Sequence, residues 1–378
     1  MILAHHADRL AQLAEGSRRR TLMPRGGLDF TSNDYLGLAA SERMAAAVVE
    51  ALARGVPVGA GGSRLLRGNH AEHEALEAEA ARFFGADRML FFGAGYAANQ
   101  AVLATLPQDG DLVVHDRLIH ASAHSGLRLG RAASVAVPHN DAGAVDDAIR
   151  SWRRAGGTGH PWIVAESLYS MDGDTAPLAD LAAIARAHDG FLFIDEAHAT
   201  GVHGPEGRGL AAGLEGRPEV IVLHTCGKAL GAAGALVGAD AILCDYLINR
   251  AKPFIYATAP SPLQAAAVRA ALRILADEPE RRSRLHGLIA TAHAAAARHG
   301  FSAGATQILP VILGDDARTL RVARRMQTAG FDIRAIRPPT VPPGTARLRI
   351  SITLNIDAAL IEALFAALAV AVAEETTP

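Results

Sequence analysis

Between about residues 88 and 238 the sequence alternates short runs of β-branched and aromatic residues with longer Ala/Leu/Arg stretches of helical period. That alternation is the signature of stacked βα units. Strands are expected at 88–92, 111–115, 134–137, 162–166, 191–195, 220–224 and 235–238. Several of these runs are apolar throughout, as strands covered by helices on both faces must be. An α/β fold with a largely parallel, doubly wound sheet follows. In such sheets a ligand lies beyond the carboxyl ends of the strands. The sequence concentrates its polar groups there, with Glu166-Ser167, Asp195-Glu196-Ala197-His198 and His224-Thr225-Cys226-Gly227-Lys228 each carried at a predicted strand end.

Outside this stretch the chain divides into an arm over 1–40, a large domain over 41–270 and a smaller α+β domain over 271–378. A length of 378 residues suits more than one domain. The arm is Arg/Gly/Pro-rich over 18–27. After Pro262 a helical stretch runs towards Gly300, and strands follow at 307–313, 332–336 and 346–352. The late apolar stretch 358–373 contains Glu362 and is too short to span a bilayer comfortably, so it reads as an amphipathic terminal helix. A formal net charge of -2 supplies no field to recruit nucleic acid or an anionic membrane, which leaves small molecules as partners. The opening residues MILAHHADRL lack a basic region followed by an apolar one, and Cys226 and Cys244 are too few for a disulfide framework. A cytosolic setting with both thiols reduced is the expectation.

The basic residues are almost all arginine. Lys228 and Lys252 are the only lysines, so chemistry that requires a primary amine has two candidates. Lys228, in T-C-G-K-A-L-G, sits just past a strand end, where a lysine destined for a Schiff base can be enclosed and deprotonated. Lys252, in Arg250-Ala251-Lys252-Pro253, reads as a surface lysine. Asp195 closes the apolar strand Phe191-Leu192-Phe193-Ile194, and a carboxylate in such a place calls for a cationic partner such as a protonated ring nitrogen. His198 can reach the same ligand. An Asp-Glu-x-His cluster also admits a metal site, although the sequence offers no further ligands for one and no metal is expected. Gly93-Ala94-Gly95-Tyr96-Ala97-Ala98 matches the G-x-G-x-x-A dinucleotide fingerprint. A helix N-terminus with small residues binds any phosphate, however, and an NAD-dependent oxidoreductase would leave Asp195 and Lys228 unused.

Taken together, these residues resemble those of the α-oxoamine synthases, pyridoxal-phosphate enzymes of fold type I. The matching segments are S-N-D-Y-L-G-L from Ser32, G-A-G-G-S-R from Gly59, Gly95 to Gln100, D-R-L-I-H-A-S from Asp116, Y-S-M-D-G-D from Tyr169, D-E-A-H-A-T-G from Asp195, and R-P-P-T-V-P-P-G-T-A-R-L-R from Arg337. They run in order along nearly the whole chain. The resemblance implies that Lys228 holds pyridoxal 5'-phosphate as an imine, Asp195 pairs with the ring nitrogen, and His120 stacks on the ring face. It sets His198 and Ser170 near the phenolic oxygen, and Gly95, Tyr96 and Thr225 at the phosphate. Thr258 is implied to reach the phosphate of a partner subunit's cofactor in a homodimer. Asn33 and Arg349 are implied to meet the amino-acid substrate, Arg349 through its carboxylate, with Arg18 and Thr340 as further substrate contacts. Two departures stand out: Ala199 replaces a usual glycine, and the arm between Arg20 and Asp29 is short.

The R-P-P-T-V-P-P-G-T-A-R-L-R string is most similar to members that condense L-alanine with a pimeloyl thioester, carried by coenzyme A or a carrier protein, on the route to biotin. Acetyl, succinyl or palmitoyl donors with glycine or serine are the neighbouring alternatives. A catalytically silent pyridoxal-binding protein is a third kind of reading.

Overall fold

A computed structural model describes residues 2–302 and 304–375. The chain forms two compact units. The larger comprises Leu36–Ser170 and Thr175–Arg282; the other takes in the chain up to Tyr35, Met171–Asp174 and the chain from Ser283 onward.

The larger unit is built on a seven-stranded sheet. Its strands are β1 (Arg88–Phe92), β2 (Leu112–Asp116), β3 (Ala133–Val137), β4 (Pro161–Glu166), β5 (Phe191–Asp195), β6 (Val220–Thr225) and β7 (Ala235–Ala239). They lie in the order β1-β7-β6-β5-β4-β2-β3, and only β7 runs antiparallel to its neighbours. The predicted strands are therefore present to within a residue or so at each end. Their unbroken apolar runs divide by period 2 between two cores. Val113, Val164, Phe193 and Ile221 pack with Val102, Leu103 and Leu247 on one face. Val114, Ile163, Ile194 and Val222 pack with Ile149, Leu181 and Ala185 on the other. Each face buries apolar surface at about 25 cal/mol per Å². β3 is one of the two edge strands, and most of its residues are exposed.

The helical stretch after Pro262 is two helices, Pro262–Asp277 and Pro279–Arg298. The break falls where Pro279 cannot donate a helical hydrogen bond. Leu263 and Ala266 of the first helix pack against Ala51 and Val56. That packing carries the larger unit to Arg282, beyond the expected end at residue 270.

In the other unit an antiparallel sheet orders Ala335–Ile336, Ala346–Ser351 and Ile308–Gly314. The single strand expected over 332–336 is two short ones, because Phe331–Asp332 pairs with Leu28–Asp29 while Ala335–Ile336 pairs with Arg347 and Leu348. The arm divides at Tyr35 rather than residue 40. Ser351 and Leu354 donate backbone hydrogen bonds to Phe30 and Tyr35, which ties residues 30–35 to the last strand. Ala358–Glu374 forms the terminal helix. No helix among the described residues is long and apolar enough to cross a membrane.

Candidate active site

The ends of β4, β5 and β6 and the N-terminus of helix Gly95–Thr105 enclose a cleft of about 170 Å³. Period 2 decides what its wall presents. Glu166 is the register partner of Asp195 on adjacent parallel strands, and both follow the face of Val164 and Phe193. Two carboxyl groups thus stand side by side beneath the helix.

Asp195 is buried and doubly bonded: Asn99 Nδ2 donates to Oδ2 at 2.8 Å, and the Ala197 backbone N–H donates to Oδ1 at 2.9 Å. Asn99 Nδ2 also donates to Ser122 Oγ at 2.9 Å. Ser122 in turn meets His120 Nδ1 at 2.7 Å, and its backbone N–H donates to the same nitrogen at 3.3 Å. A ring nitrogen that accepts these bonds carries no proton. Burial also lowers the pKa of His120 against the opposing pull of Asp195, so the imidazole is a neutral ring.

Lys228 follows β6. The turn that carries it closes through a 2.8 Å bond from Gly231 N–H to the Lys228 carbonyl, and Gly231 has φ 61°. A Cβ at 231 would lie 2.5 Å from Ala39 N, so this turn requires glycine. The Lys228 amine points into the cleft, 2.6 Å from His198 Nε2. Gly95 opens its helix without a side-chain cap, leaving first-turn N–H groups for a ligand. A Cβ at Gly95 would meet Thr225 Oγ1 at 3.4 Å, which makes a close cradle at the dipole's positive end. Tyr96, its hydroxyl 2.7 Å from Ser125 Oγ, and Ser170 complete the lining. Two buried oxygens of the wall, Asn99 Oδ1 and Glu166 Oε1, have no protein partner. Among the described residues no cluster of three or more His, Cys, Asp or Glu could hold a metal.

The residues fit pyridoxal phosphate. They offer an amine for an aldehyde, an anion for a ring nitrogen, a neutral aromatic ring for a ring face and an open helix terminus for a phosphate. Eight of the residues expected from the sequence, Gly95, Tyr96, His120, Ser170, Asp195, His198, Thr225 and Lys228, line this one cleft. Thr258 does not; it is exposed, in the loop after helix Lys252–Ile255.

The remaining four lie in the other unit. Arg349, buried on strand Ala346–Ser351, donates to Asn33 Oδ1 at 3.0 Å, Ser351 Oγ at 2.9 Å and Tyr35 Oη at 3.3 Å. Arg18 forms a 2.9 Å ion pair with Asp316, and Thr340 accepts from Arg20 at 3.2 Å. Asn99, Ser122 and Tyr35 enter these networks unannounced by the sequence reading. One signal was there: asparagine is a poor residue for a helix interior, and Asn99 stands one turn after Gly95. Glu166 was visible at a strand end, with no task attached.

Comparisons with known proteins now bear on the site. The family described as aminotransferase class I and II matches residues 25–368. A relative from Methylococcus capsulatus named 8-amino-7-oxononanoate synthase is 43% identical, covering 99% of this chain and 97% of that protein. The chain belongs to this family. An 8-amino-7-oxononanoate synthase from Anaeromyxobacter dehalogenans is also 43% identical, over 90% of this chain and 85% of its own. Among solved structures, a serine palmitoyltransferase from S. paucimobilis with a bound PLP-myriocin aldimine superposes with a TM-score of 0.89 at 26% identity, covering 99% and 98% of the two chains. The 8-amino-7-oxononanoate synthase from Francisella tularensis gives 0.78 at 26%, covering 93% and 99%. Pyridoxal phosphate is the cofactor of the 8-amino-7-oxononanoate synthase family, and the fold is that of the fold-type-I transferases. The G-x-G-x-x-A match of Gly93 to Ala98 stands at an uncapped helix start in a pyridoxal-phosphate enzyme, and so does not mark a dinucleotide site.

Proposed function

We propose that this chain condenses L-alanine with a pimeloyl thioester of coenzyme A or a carrier protein, giving 8-amino-7-oxononanoate, carbon dioxide and a free thiol. A bond forms between the α-carbon of alanine and the pimeloyl carbonyl carbon. The carbon–sulfur bond breaks and the thiolate leaves, to be protonated as the free thiol; the alanine carboxylate departs as carbon dioxide, and the α-carbon takes up a proton in its place. Pyridoxal phosphate, when bound, supplies the electron sink for negative charge at the α-carbon.

The protein's own groups do the rest. Lys228 would hold the cofactor through its amine, and its free Nζ would accept the α-proton of the amino substrate. His198, at 2.6 Å, fixes where that amine waits. Asp195 would offer its carboxylate to the ring nitrogen, and neutral His120 would offer its ring to the cofactor's face. Ser170 and His198 serve the phenolic oxygen; Gly95, Tyr96 and Thr225 serve the phosphate. In the smaller unit Arg349, held by Asn33, Ser351 and Tyr35, binds the alanine carboxylate. Arg18 and Thr340 meet the acyl substrate. Thr258 reaches across to the partner subunit's phosphate in a cytosolic homodimer.

The observation that carries this reading is the Lys228–His198 pair in one cleft with Asp195, in a chain 43% identical along 99% of its length to a synthase of this name. The higher TM-score to serine palmitoyltransferase, at 26% identity, reports a shared backbone and does not select an acyl donor. Borohydride reduction and peptide mapping should recover pyridoxyl-Lys228. Free thiol should then appear fastest with L-alanine and a pimeloyl thioester. Faster release with glycine or serine and a different thioester would overturn the substrate assignment.

A further inference from the structure

Asp195 and Glu166 are neighbouring buried carboxyl groups with unequal surroundings. Asp195 receives a donor on each oxygen, from Asn99 and from the Ala197 N–H. Glu166 receives one, from the Ser170 N–H at 3.1 Å to Oε2, while Oε1 is buried and has no protein partner. Two like charges side by side in a water-poor wall cannot both be sustained. The donor count decides which one ionises, because donated hydrogen bonds favour the charged form and a bare buried oxygen disfavours it.

We infer that Glu166 works as an uncharged carboxylic acid, its proton on Oε1, and that by carrying the one proton the pair shares it keeps Asp195 ionised for the ring nitrogen. Glu166 is thus a positioning residue acting through Asp195, and its hydroxyl adds a donor to a wall otherwise rich in acceptors. The groups that face it agree with this division. Burial raises its pKa first, Asp195 on β5 and Asp116 at the end of β2 push the same way, and Lys228 from the turn after β6 opposes them; the balance is pushed up to about 8. His120 and His198 line the same cleft, the first of them neutral.

The inference rests on the cofactor reading for its consequence, but the protonation can be read without turnover. Infrared difference spectra would be taken on the cofactor-loaded enzyme, on E166Q and on D195N, with loading checked first by visible absorption. Relative to wild type, E166Q should lose one deuterium-sensitive carboxylic-acid carbonyl band, and D195N should lose none. Glu196, whose pKa burial raises to about 7, contributes a background common to all three. In wild type the Glu166 band should fade as pH rises through about 8. If E166Q does not fold, carboxyl-labelled glutamate in wild type should shift this band, and labelled aspartate should leave it in place. A band that survives E166Q and disappears in D195N, or that shifts with labelled aspartate, would overturn the inference. Failure to load cofactor would instead sink the functional reading, since the band is expected in the unloaded chain as well.

Discussion

The Lys228 cleft and the Arg349 cluster are both polar and buried, the first at strand ends and the second along strand Ala346–Ser351, yet they are completed differently. In the cleft, Asn99 Oδ1 and Glu166 Oε1 are buried without protein partners. Leaving such an atom unpaired costs about 1–3 kcal/mol. The cleft therefore keeps hydrogen-bonding capacity that the protein itself does not use. Around Arg349 three side-chain oxygens are already in place, from Asn33, Ser351 and Tyr35. Under the proposed role of Arg349, a substrate carboxylate would compete with these neutral acceptors and would prevail by charge. One region keeps buried oxygens without protein partners, and the other already satisfies its cation within the protein.

Mutation tests the two halves of this contrast unequally. Lys228→Ala should have the largest effect, lowering kcat by at least about 10⁴-fold, since covalent attachment and proton transfer are lost together. Borohydride should then fix no pyridoxyl group on the chain, and retained turnover would break the scheme. Arg349→Lys should raise KM for alanine and lower kcat/KM by about 10- to 100-fold, the worth of one or two charge-assisted hydrogen bonds. Resting cofactor affinity should hold, and a matching loss of cofactor would erase the distinction between the regions. Asn99→Ala, which strips a donor from Asp195 and from Ser122 at once, should weaken cofactor binding about tenfold with a smaller change in KM for alanine. Equilibrium titration followed by visible absorption would measure it.

The smallest effect sharpens the picture of burial itself. Glu196 is fully buried beside the cleft, accepts N–H groups from Leu210 and Ala211, and has its pKa raised to about 7, chiefly by desolvation. The folded chain keeps this proton where the unfolded chain, with its ordinary value of 4.5, has released it. Stability should therefore fall as pH rises from about 4.5 to about 7, with no further contribution above that. Glu196→Gln should flatten the slope of denaturant midpoint against pH over that window. An unchanged slope would mean that the group titrates alike folded and unfolded.

Much of this was legible in the residues. The strands of the large sheet appear because a strand buried on both faces must be apolar at every position, a local pattern written in consecutive residues. Asp195 and Lys228 stand out for the opposite reason, as polar groups at the ends of such runs. The splitting of the strand expected over 332–336 could not be read, since it depends on two pairing partners, Leu28–Asp29 and Arg347–Leu348, distant in sequence. The extent of the larger unit was hidden likewise, because Leu263 and Ala266 owe their place to contacts with residues 51 and 56.

By itself the sequence determined which chemistry was available: one lysine at a strand end, an acid closing an apolar strand, and glycines where a phosphate can approach a helix. These follow from residue type and local order. Tertiary structure alone decided how the groups share protons and donors. Asn99 bonds Asp195 from 96 positions away, and Glu166 meets Asp195 through strand register. Protonation in a buried site depends on the total of nearby charges and hydrogen bonds, and that total exists only once separate strands and helices have been brought together.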